Sequence, residues 1–186
     1  MLLHCGAEAV PRADVFATPT PRHTDTWFPL PHRDLIAEVE GQLEGAGFTI
    51  EAETHSLSHQ GARYFGVFEV NTPGREVEDH AWIVGLRNSH DKSFPAGLVA
   101  GSKVLVCDNC AFSGEVRISR KHTRYAVRDL RHLTSRAVGQ LGDRFIQLDG
   151  RIASYKGERV TDPKAHDLVV RAIDCRAITS TQVPKV

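Results

Sequence analysis

The chain has 186 residues, 41% of them hydrophobic and 25% charged, enough for one globular domain with room for extra segments. Lys plus Arg and Asp plus Glu both total 23, so the formal net charge is zero, which excludes a uniformly basic nucleic-acid coat and an acidic tail. Apolar runs such as 104–107 fall far short of the ~20 residues a membrane span needs. The start lacks a leader pattern, and the four cysteines (Cys5, Cys107, Cys110, Cys175) read as reduced thiols of a cytoplasmic protein.

Residues 1–31 read as an extended Pro-rich arm. Pro11, Pro19, Pro21, Pro29 and Pro31 break helices and deny ladder hydrogen bonds, while Trp27 and Phe28 suit anchoring on a neighbouring surface. Residues 32–176 read as a single α+β domain and 177–186 as a C-terminal tail. In the segment 34–44, Leu35, Ile36, Val39 and Leu43 form one apolar helical face opposite Glu38, Glu40 and Glu44, with Gly45 and Gly47 as the stop.

About five mainly antiparallel strands are expected next. The segment 48–53 alternates Phe48, Ile50 and Ala52 with polar residues, and 62–71 is its hairpin partner, with Tyr64, Phe68 and Val70 on one face. The segment 80–88 carries Trp82, Val84 and Leu86; 103–108 is a short apolar run; 115–119 alternates Val116 and Ile118. A long helix is predicted over 123–141, with Thr123 as N-cap. Its apolar stripe (Ala126, Leu130, Leu133, Ala137, Leu141) spans roughly 80°, and Arg124, Arg128 and Arg131 fall within roughly 60° on the opposite face. A short strand or turn over 145–152 and a helix over 163–173, capped by Asp162, complete the expected elements.

The zero net charge conceals a gradient. Residues 1–60 carry three basic and nine acidic side chains, residues 61–116 five and seven, and residues 117–186 fifteen and seven, giving −6, −2 and +8. Between Arg117 and Arg136 lie seven basic residues and one acid, Asp129. Arginine forks suit phosphate, and Tyr125 and Tyr64 are candidate stacking faces for unpaired bases. The alternative is a solvated face that pairs with acidic residues of the same chain or of a neighbour.

Three other patterns carry potential chemistry. Ser89, His90 and Asp91 are the letters of a hydrolase triad, but contiguous side chains diverge and cannot form that relay unaided. Cys107 and Cys110 make a lone CxxC, half of a zinc site. The segment 97–103 has the wrong glycine spacing for a phosphate loop.

The runs Trp82–Ser93 (WIVGLRNSHDKS), Val104–Asn109 (VLVCDN) and Arg120–Thr123 (RKHT) resemble, in order and spacing, a family of phage- and plasmid-borne proteins labelled as a domain of unknown function. The resemblance covers roughly residues 30–175 and implies a mobile-element setting. The order of a helix, antiparallel hairpins and a long basic helix is also similar to the core of single-strand annealing recombinases.

The leading expectation is a nucleic-acid-binding protein, with single-stranded DNA favoured, that forms homo-oligomers and needs no cofactor or membrane. Arg120, Lys121, Arg124, Arg128 and Arg131 would meet phosphates, and Arg87, His90 and Lys92 would line the same groove. A second reading is a metal-dependent hydrolase or nuclease on His90, Asp91, Asp108 and His122. A third is a module that docks on a host protein through its charge asymmetry.

Overall fold

A computed structural model of the chain describes residues 7–76, 80–102 and 116–179. The chain divides into two compact units, Met1–Leu148 and Asp149–Val186. The first unit is α+β. Its sheet has six strands among the described residues: β1 (Glu8–Val10), β2 (Thr49–Ser58), β3 (Arg63–Asn71), β4 (Trp82–Ser89), β5 (Ala96–Ser102) and β6 (Val116–Arg120). Spatial order equals chain order and every pairing is antiparallel.

The alternation that predicts β3 and β4 also sets the faces of the sheet. Tyr64, Phe68 and Val70 are buried, with half-buried Phe65 and Val67 between them. They register against Asn88, Val84 and Trp82 of β4, and Leu86 registers against Leu98 of β5. Helix α2 (His32–Gly45) covers this face with Leu35, Ile36, Val39 and Leu43, all fully buried. Each such side chain contributes about 1.5–3 kcal/mol.

Helix α3 (Ala126–Val138) packs on α2 and β6. Its stripe is buried at Ala126, Leu130 and Ala137, with Leu133 half-buried. It is shorter than predicted and ends at Gly139, and its N-cap is Tyr125, not Thr123. The Thr123 hydroxyl instead accepts a hydrogen bond from Arg120 at 3.0 Å.

Three elements depart from the sequence reading. The segment 145–152 is helical, part of α4 (Leu141–Gly157). Leu141, Phe145 and Leu148 are buried at 4- and 3-residue steps, and Phe145 stacks on Trp82 with centroids 4.6 Å apart. The strand β5 falls on the glycine-rich run set aside as a failed phosphate loop, whereas the predicted strand at 103–108 lies outside the described residues. Part of the expected arm is ordered structure: β1 extends the sheet edge beside β2, and a short helix α1 (Arg12–Ala17) follows. Arg12 is held by Glu40 of α2 and by Glu53 of β2 at 2.7 Å. In the second unit the last helix, α5 (Asp162–Asp174), begins one residue early, with Thr161 as N-cap.

Candidate nucleic-acid interface

Residues 18–31 lead from α1 to α2 without regular structure, and side chains at the end of β4 hold them. Asn88 is fully buried and occupies the centre. Its amide nitrogen donates to the Leu30 carbonyl at 2.7 Å and to Nδ1 of His32 at 2.9 Å. Its amide oxygen accepts from Nε2 of His122 at 2.7 Å. His90, two residues on, donates from Nε2 to the same Leu30 carbonyl at 2.9 Å. His32 donates from Nε2 to the Gly61 carbonyl at 3.0 Å. Carbonyls only accept, so these partners place a proton on Nε2 of all three imidazoles, and the Asn88 amide fixes His32 as the neutral tautomer with a bare Nδ1.

The cluster is dry. His32, His90 and His122 are all buried, and the His32 and His90 rings stack at 3.8 Å, 4° from parallel. Burial disfavours the charged ring, and the neighbouring His90 adds to this, so His32 and His122 are each pulled down to about 4. His90 is lowered by burial as well. Flanking the cluster, Asp91 takes the Nε of Arg63 at 2.6 Å and the hydroxyl and amide of Ser93. These bonds outweigh its burial and bring it to about 2. The Ser89 hydroxyl closes the loop on the Phe94 carbonyl at 2.7 Å. Ser89, His90 and Asp91 thus have separate partners and form no relay.

This anchoring lays the end of the arm along the turn between β6 and α3. The Phe28 amide donates to the His122 carbonyl at 2.9 Å, and the Trp27 ring meets the His122 ring edge-on. Cations and aromatic rings then alternate: the Lys92 ammonium lies 5.2 Å from the Trp27 ring, the Arg124 guanidinium 5.7 Å from Phe28, and Arg128 4.7 Å from Tyr125. His23 stacks on the other aromatic of the arm, Phe28, at 5.0 Å. Tyr125 is 55% exposed.

The chain matches no family model, no curated protein and no solved structure. Its chemistry therefore has to be read from its own side chains.

Lys92, Lys121, Arg124 and Arg131 are exposed and have no carboxylate partner among the described residues. Arg128 pairs with Asp129 at 3.1 Å. Three residues expected in the groove do not join this strip. His90 is buried beneath the arm. Arg120 is committed to Asp129 at 2.6 Å. Arg87 projects from the opposite face of β4 to Asn88, over Phe94, where burial and Arg117 lower its pKa. Tyr64, expected as a stacking face, is 1% exposed and donates its hydroxyl to Nδ1 of His55 at 3.0 Å.

Of the metal candidates, His90, Asp91 and His122 are each engaged as above, and Asp108 lies outside the described residues, as do Cys107 and Cys110. No group of three or more His, Cys, Asp or Glu placed to hold a metal occurs among the described residues. No helix there is long and apolar enough to cross a membrane. Sequence reasoning missed His32 and Asn88 as partners: they are 56 residues apart and belong to no shared period.

Proposed function

We propose that this chain binds single-stranded nucleic acid along the strip formed by residues 23–28, Lys92 and the start of α3. The observation that carries the reading is the alternation of Lys92 with Trp27, Arg124 with Phe28, and Arg128 with Tyr125. Single-strand binders need this combination: cations for backbone phosphates, and aromatic faces on which bases stack at ~1–3 kcal/mol each. Duplex readers instead carry a helix or ribbon that enters a groove and hydrogen-bonds base edges. The mobile-element setting implied by the resemblance is consistent with a role in recombination. An annealing role would further require self-assembly.

The test is fluorescence anisotropy of a labelled single-stranded oligonucleotide across a salt series. Binding should weaken steeply with salt, with a slope of roughly −0.7 per phosphate contact. Replacing Arg124, Arg128 and Arg131 by Ala should flatten that slope by up to about two units. Absence of binding at low salt, or an unchanged slope in the triple variant, sinks the proposal.

A further inference from the structure

The end of the arm is attached by an unusual set of bonds. Pro29 and Pro31 lack amide protons on either side of Leu30, so no strand ladder can hold this segment. The Leu30 carbonyl is instead held by two side chains, Asn88 and His90, and the Phe28 amide by the backbone carbonyl of His122. Trp27 Nε1 is buried with no hydrogen-bond partner among the described residues, which weakens docking further.

One bond beneath the arm requires a neutral ring, that from Asn88 to His32, and the burial of all three imidazoles opposes a charge on any of them. A second proton on His32 goes to Nδ1, which now accepts from the Asn88 amide, and sets donor against donor. His32 and His90 are face to face at 3.8 Å, so a charge on one opposes a charge on the other. His122 already spends its Nε2 proton on Asn88, and a second proton would leave a charge in a buried site.

We propose that the cluster of His32, His90 and His122 around Asn88 is a proton-operated latch that frees the aromatic arm in acid. Among the described residues, the titratable and charged groups facing the latch are few. On α2 the group is His32 itself. From β3, Tyr64 lies 5.4 Å from the His32 ring, and Arg63 is occupied by Asp91. From the loop after β4, Asp91 is the one carboxylate that favours a charged His90, and Lys92 lies over Trp27. The β6–α3 turn contributes His122. Among the described residues this carboxylate, already paired with Arg63, cannot stabilise three imidazolium ions. Release is therefore the way the chain accommodates the protons. It takes Trp27 and Phe28 away from Lys92 and Arg124, so acid dismantles the strip; this last consequence rests on the proposed function, whereas the release itself does not.

The test is NMR of the full chain without nucleic acid, from pH 7.5 to 4, following the histidine rings, the Phe28 amide and the Trp27 indole. The released fraction should grow about tenfold per pH unit for each histidine that takes up a proton. Phe28 and Trp27 should therefore shift together with the histidine rings, while the amides of Phe68, Val84 and Leu98 keep their native positions. Arm signals that stay unchanged to pH 4, or that are lost only together with those core amides, overturn the proposal. Oligonucleotide binding at pH 7.5 reports on the strip alone, so the two ideas fail separately.

Discussion

Replacing Asn88 by Leu removes the centre of the buried cluster while keeping its volume. The Leu30 carbonyl retains His90 as donor. Two groups are orphaned: Nδ1 of His32, which loses its donor at 2.9 Å, and Nε2–H of His122, which loses its acceptor at 2.7 Å. Two orphans at ~1–3 kcal/mol each, less ~1–2 kcal/mol recovered by the apolar side chain, predict a net loss centred on about 2.5 kcal/mol. The assay is urea unfolding followed by tryptophan fluorescence, because Trp27 and Trp82 both lie in the Met1–Leu148 unit. Asn88→Asp is the companion variant. A carboxylate there still accepts from His122 but has no proton for His32, and a protonated His32 repairs that contact. Asn88→Asp should therefore regain part of its deficit between pH 7.5 and 5.5, while Asn88→Leu should not. An Asn88→Leu protein within ~0.5 kcal/mol of the parent, or two variants that run parallel in pH, would refute the hydrogen-bond accounting.

The remaining predictions concern pH, the sheet and the loop after β4. Unfolded histidines take up protons near 6.5, whereas folded His32 and His122 do so only near 4, so the stability they contribute is complete above pH 6.5 and is lost as pH falls toward 4. Each of the two should lose about 2 kcal/mol between pH 8 and pH 5, seen as a falling urea midpoint; a midpoint that holds or rises contradicts this. At Gly66 a Cβ would stand 2.0 Å from the Tyr64 hydroxyl, so Gly66→Ala should displace that ring and cost at least ~1–3 kcal/mol in thermal unfolding. In a Tyr64→Phe background the penalty should shrink. Lys92 has a positive φ of 66°, so Lys92→Gly should stabilise the fold by roughly 0.5–1 kcal/mol while weakening oligonucleotide binding.

The parts of the fold legible in the sequence are those where one period decides burial. The α2 stripe, the alternations of β3 and β4, and the α3 stripe opposite its arginines all appear in the structure. The strand β5 was missed because Gly97, Gly101 and small residues dilute its pattern, and because its partners on both sides supply the order. The helix α4 was missed although Leu141, Phe145 and Leu148 step by 4 and 3, a spacing that could have revealed it. The site divided along similar lines. Exposed Arg128 and Arg131 follow from helical geometry, Lys121 and Arg124 are exposed in the turn before α3, and Trp27 and Phe28 do anchor the arm, as their size suggested. The placement of His90 and Arg87 did not follow. A strand end reads as a surface until the segment that covers it is known, and here that segment lies some 60 residues earlier. Asn88 has no signature of its own, since its role exists only through three partners from two distant stretches, Leu30 and His32 in one and His122 in the other.

The strand order of the sheet has a kinetic consequence. Each of β2 to β6 pairs with its neighbour in sequence, so these hairpins can form by short closures, and β2–β3 needs only the turn at 59–62. The edge pairing differs: Val10 meets His55 across a loop of about 45 residues, a costlier closure. Folding should therefore run from the β2–β3 hairpin outward, with β1 joining last. In hydrogen exchange, Glu8–Val10 should then open at a free energy below that of the central strands, a foldon that comes away while the sheet behind it stays closed.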